Sequence, residues 1–162
     1  MKTPQELYEE VRTFQPAEIL QYLADKESIS LTDATERWDE MLKFLVLCAT
    51  SEKVHAPSEA VDAAWHAFVL HTEQYEAFCL THLGRFVHHR PKVQPFEEFA
   101  NSVEEIFTVF PNSPVRKHLW LAVGDCEDGG SQCVANCAEV GCHRVVAQRA
   151  FALPSLVAVS AH

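Results

Sequence analysis

Asp62 and His66, four positions apart, and the histidine pair His88 and His89 are the residues of this chain most suited to ligating a transition metal. Side chains four apart on a helix lie one turn above each other. A carboxylate and an imidazole at that spacing can share one ion, or the acid can orient the ring. A site needs further donors from elsewhere, and the histidine pair lies just past Gly84, where the chain can double back beside the helix. In an extended segment the two rings point to opposite sides, so one of them is expected to face the site. The plainer reading makes Asp62 a first-turn carboxylate favoured by the helix dipole, His66 a half-buried ring and the pair an exposed basic turn.

Cys126, Cys133, Cys137 and Cys142 form a second group, separated by six, three and four residues. Structural zinc sites commonly use two close cysteine pairs separated by a longer stretch, and this set fits that pattern only in part. Cys133 and Cys137 can share a helix face, with Cys126 and either Cys142 or His143 completing four ligands. Free thiols or disulfides are the alternative, and the usual iron–sulfur spacings are absent. His71, Tyr75, Cys79 and His82 make a third line of polar side chains. Tyr75 and Cys79 lie near an apolar face, where a tyrosine hydroxyl needs one partner and a thiol packs as a small hydrophobe. With His71 they are candidates to support the ligands, and a thiolate ligand at Cys79 is the less favoured reading.

These residues need helices to place them. Thr3-Pro4-Gln5-Glu6 carries a cap, a proline at the first helical position and a glutamate three after the cap, which predicts a helix to about Thr13. A second helix is expected from Pro16, with Ile19, Leu20 and Leu23 on one side. Ser30 caps a third, whose Leu31, Ala34, Trp38, Met41, Leu42, Leu45 and Cys48 recur at spacings of three and four. Pro57-Ser58 opens a fourth and longest helix, expected to run to Gly84, with Val61, Trp65, Phe68, Tyr75 and Cys79 on one face. Pro95 to Phe110 is a fifth, and Ser113-Pro114 starts a short sixth through Trp120. No stretch of residues 1–122 alternates with a period of two, so strands are not expected there. The expected fold is all-α: one helical bundle of five to six helices over residues 1–122. A Cys-rich segment at 123–144 and an apolar tail at 145–162 follow, and the tail's conformation is open between helix, strand and an ordered-poor end.

Composition narrows the function. Hydrophobic residues make up 48% and charged residues 22% of the 162, as in soluble globular chains. The formal charge of −10 argues against nucleic-acid binding, which needs a basic surface. That charge is local: residues 1–62 hold 13 Asp/Glu against six Lys/Arg, whereas Arg85, Arg90 and Lys92 surround the histidine pair. An acidic protein partner is the expected match for Arg85–Lys92, or contact with the chain's own acidic half. The N-terminus enters a charged helix without a secretory signal and no apolar run is long enough to span a bilayer, so a cytoplasmic setting is expected. There, six cysteines read as thiols or metal ligands rather than disulfides. Phosphate-binding glycine loops, dinucleotide fingerprints, nucleophile elbows and paired-histidine protease helices are all missing.

Val61, Asp62, Trp65, His66, Thr72, Tyr75, Cys79, Gly84, Phe86, His88, His89 and Pro91 together resemble the signature of the glycine-rich domain-containing protein-like family. The resemblance spans some thirty residues and leaves the Cys-rich tail outside. It implies a helical domain of poorly defined biochemical role. Some relatives carry a histidine where this chain has Phe68, or another residue at His71, so a ligand set here would be smaller or differently completed. This chain has no glycine-rich region.

Three functions follow as expectations. The first is a metal-binding protein with Asp62, His66 and one or both of His88 and His89 at the main site and the four C-terminal cysteines at a second. Zinc is the default for such ligands, and iron also suits a His/carboxylate set. The second is a non-catalytic interaction domain with an internal polar network. The third is a metal-dependent hydrolase or oxidoreductase with an open coordination position. A thiol-redox role for the tail is a weaker fourth.

Overall fold

The computed structural model describes residues 2–90 and 96–121. Within them the chain forms α1 (Pro4–Val11), α2 (Ala17–Glu27), α3 (Leu31–Thr50), α4 (Glu59–Leu70), α5 (Thr72–Phe78), a π-turn (Cys79–Leu83), α6 (Phe96–Val109) and α7 (Lys117–Trp120). The fold is all-α, and the described residues contain no strand. None of their helices is long and apolar enough to cross a membrane.

Local chemistry explains most of the boundaries. Thr3 and Glu6 form a reciprocal capping box around Pro4, and Ser30 caps α3 through the Asp33 N–H. Leu31, expected on the buried stripe of α3, is instead exposed. It sits in the first turn, before the helix passes under its neighbours. From Glu40 to Leu47 every residue of α3 is buried. This helix is the centre of the bundle, packed on α1, α2, α4 and α6. Trp38 fills the space beside Phe14 and Phe68, and its indole N–H donates to the Phe14 carbonyl at 2.7 Å.

A helix buried on all sides should be apolar all round, yet α3 carries Glu40 and Lys43 in that stretch. Both are satisfied. The Lys43 ammonium donates to Glu40 at 2.8 Å, to the Pro114 carbonyl at 2.9 Å and to Asp39 at 3.2 Å. Glu40 also accepts from the Trp120 indole at 2.8 Å and from the Arg116 backbone at 3.1 Å. Asp39 accepts from Arg116 at 2.6 Å and from the Tyr8 hydroxyl. Burial alone would raise the Asp39 pKa, but Tyr8, Lys43 and Arg116 outweigh it and hold the carboxyl below its usual range. The cluster ties α7 and α1 to α3.

The continuous fourth helix expected to Gly84 is in fact three pieces. At His71 the backbone leaves the helical region (φ −91°, ψ 64°), and its imidazole Nδ1 lies 2.8 Å from the Ala67 carbonyl. After α5 the chain widens into the π-turn, and Gly84 ends it at φ 70°, a left-handed conformation that glycine adopts without a Cβ penalty.

The loop from α3 to α4 is pinned to α6. The Ala56 N–H donates to the Ser102 hydroxyl at 2.8 Å, and that hydroxyl donates to the Glu98 carbonyl at 3.0 Å. The fully buried His55 ring lies between Ser102, 3.5 Å from Nδ1, and Glu105, 3.4 Å from Nε2. This serine–histidine–acid line is not a nucleophile: Ser102 is buried and its proton is committed to a carbonyl. Burial lowers the His55 pKa; Lys53 adds to that, and Glu105 opposes it. A histidine whose folded pKa lies below its unfolded value favours the folded state while neutral. Its contribution is complete above the unfolded value of about 6.5 and is lost as pH falls from there through the folded pKa. Urea midpoints at stepped pH should therefore drop on acidification from about pH 7, and less steeply in His55→Gln. Parallel curves for the two proteins would contradict this assignment.

Candidate metal centre

Ser58 caps α4, its hydroxyl accepting from the Val61 N–H at 3.3 Å. Val61, Ala64, Trp65, Ala67 and Phe68 are the buried side of α4, which leaves Asp62 and His66 one turn apart along its flank. The His66 ring folds back on that turn: Nδ1 lies 2.9 Å from the Asp62 carbonyl and 3.1 Å from its Oδ2. With Nδ1 carrying the proton to that carbonyl, Nε2 is the nitrogen left for a metal.

Beyond Gly84 the chain returns along α4. Val87 is buried, His88 exposed, His89 nearly buried and Arg90 exposed, the alternation of an extended segment. His89 thus faces the helix. Its Nε2 is 2.9 Å from Asp62 Oδ1, a contact between residues 27 apart. Its ring centroid lies 4.3 Å from that of His66 and 4.4 Å from Trp65. His88 turns the other way and packs on Phe86 at 4.9 Å.

A buried relay holds this return path. The Trp65 indole donates to the Tyr75 hydroxyl at 2.9 Å, and that hydroxyl donates to the Val87 carbonyl at 2.5 Å. Burial drives the Tyr75 pKa strongly upward, so the phenol stays protonated as a donor. Burial also raises the Cys79 thiol, against hydrogen bonds from the Val87 backbone and Tyr75. Protonated, Cys79 acts as packing in this cluster, not as a thiolate.

One donor atom each from Asp62, His66 and His89 lies within 4.8 Å of the others. Two imidazoles and a carboxylate are an ordinary donor set for a first-row divalent metal, and bonds of about 2.0–2.1 Å place tetrahedral donors roughly 3.3 Å apart. The 2.9 Å contact between His89 Nε2 and Asp62 Oδ1 needs only a small adjustment to reach that. Of the other residues singled out from sequence, His88 faces away, and His71 caps α4 with its ring edge-on to Tyr22. Cys126, Cys133, Cys137 and Cys142 lie outside the described residues. The Val87 carbonyl has no sequence signature of its own; Trp65, read from the sequence as part of the apolar face, also walls His89.

The UCP032817-like family model matches residues 7–118, a span that includes Asp62, His66, His89 and the relay. Its description names no activity, substrate or cofactor. No curated protein and no solved structure matches the chain.

Proposed function

We propose that this chain, which belongs to the UCP032817-like family, is a metal-binding helical protein whose Asp62, His66 and His89 hold one divalent transition ion, zinc by default and iron as the alternative. The observation that carries this reading is the convergence of three donors from two separate segments, on a path held by the Trp65–Tyr75–Val87 relay. Zinc bound there would supply Lewis acidity; the protein residues supply orientation, with His66 fixed by the Asp62 carbonyl. The stretch that resembles the glycine-rich domain-containing protein-like family lies inside the matched residues, and we take that kinship as part of the same proposal. Cys126, Cys133, Cys137 and Cys142 are proposed as a second, separate thiolate site.

Elemental analysis of the untagged full chain is the direct test. About one metal per chain should remain when Cys133 and Cys137 are both changed to serine, and should be lost in His66→Ala or His89→Ala. With Cys126, Cys133, Cys137 and Cys142 all changed to serine, zinc should stabilise the chain by about 2.7 kcal/mol at a hundredfold excess over Kd, and should leave the same chain carrying His89→Ala unmoved. Less than about 0.1 metal per chain after loading sinks the reading.

A second reading is an interaction domain. Arg85, His88 and Arg90 are all exposed. An acidic protein partner would suit this edge, and reversing both arginines to glutamate should abolish such binding while leaving metal content unchanged.

A further inference from the structure

We infer that an ion held by Asp62, His66 and His89 keeps a coordination position that takes a small exchangeable oxyanion, such as a carboxylate; this rests on the metal reading above. First-row divalent ions take four or more ligands, and closed four-ligand sites are structural whereas sites with three protein ligands leave room for water or substrate. Among the described residues three donors converge and no fourth His, Cys, Asp or Glu joins them. Of the polar groups along the relay, the Tyr75 hydroxyl donates to Val87, and Cys79 is a buried thiol.

Exposure indicates where the open position lies. The His89 side chain is 11% exposed, Asp62 32% and His66 44%. Trp65 packs edge-on against His89 and closes the inner side, so the fourth position faces solvent on the His66 side. The charge sets the ligand class. One carboxylate and two neutral imidazoles leave a divalent ion with a net charge of about +1, and hard oxygen anions neutralise it.

The test uses the full chain loaded with cobalt(II), whose visible bands report coordination, titrated with acetate. A parallel titration uses the chain with Cys126, Cys133, Cys137 and Cys142 all changed to serine. A saturable shift of the visible bands in both proteins, absent from His66→Ala, is the expected result. Bands that ignore acetate in both proteins overturn the inference and leave the metal reading standing. So does a response seen only once the cysteines are gone, because a cysteine then fills the position in the native chain. Cobalt that fails to bind the site at all removes the metal reading and the inference with it.

Discussion

Replacing Glu40 with alanine is expected to destabilise the chain by roughly 3–5 kcal/mol, the range for removing one partner of a buried ion pair. That is a large share of the 5–15 kcal/mol typical of a folded domain. Glu40 is fully buried and accepts from Lys43, from the Arg116 backbone and from the Trp120 indole. Truncation would strand the Trp120 N–H, and Lys43, 1% exposed, would keep only Asp39 and the Pro114 carbonyl. Urea unfolding with a common slope would read the loss directly. The double change Glu40→Leu with Lys43→Met removes both charges together, and should cost clearly less than the two single changes summed. A Glu40→Ala loss below about 1 kcal/mol would mean that the cluster is hydrated and not sealed.

Tyr75→Phe carries the second large effect. The phenol is the middle of the relay, so its loss leaves the Trp65 indole without an acceptor and the Val87 carbonyl without a donor. Each stranded buried group costs about 1–3 kcal/mol. The consequence for the site is more telling. Val87 lies two residues before His89 on an extended segment, so the hydroxyl fixes the register in which His89 meets Asp62. Zinc affinity should fall about 10–100-fold, as it does when groups behind metal ligands are removed. Competition against a chelating dye would measure this alongside stability. Lost stability with unchanged affinity would reduce Tyr75 to a packing residue.

The features readable in the sequence are the ones set by short-range rules. The Thr3–Glu6 box, the Ser30 cap, the period of α3 and the one-turn spacing of Asp62 and His66 all depend on residues within four positions of one another. The interruption at His71 has no such signal: residues 58–83 contain no glycine or proline, and periodicity cannot register a backbone turn made by a side chain bonding to Ala67. Val61, Trp65, Phe68, Tyr75 and Cys79 still end buried, in three segments and not one. Nothing local marks Glu40 and Lys43 as buried, because the residue that completes their cluster, Arg116, is 76 positions from Glu40. The choice of His89 over His88 rests likewise on the Tyr75–Val87 bond.

The contact between Asp62 and His89 closes a span of 27 residues. An ion there would act as a detachable clasp across α4, α5 and the π-turn, and closures of long spans limit the unfolded chain most. Chelation would then loosen one hairpin while the α3 centre stays shut. Amide exchange should quicken first at residues 85–90, making that edge the part of the fold most responsive to how much metal surrounds it.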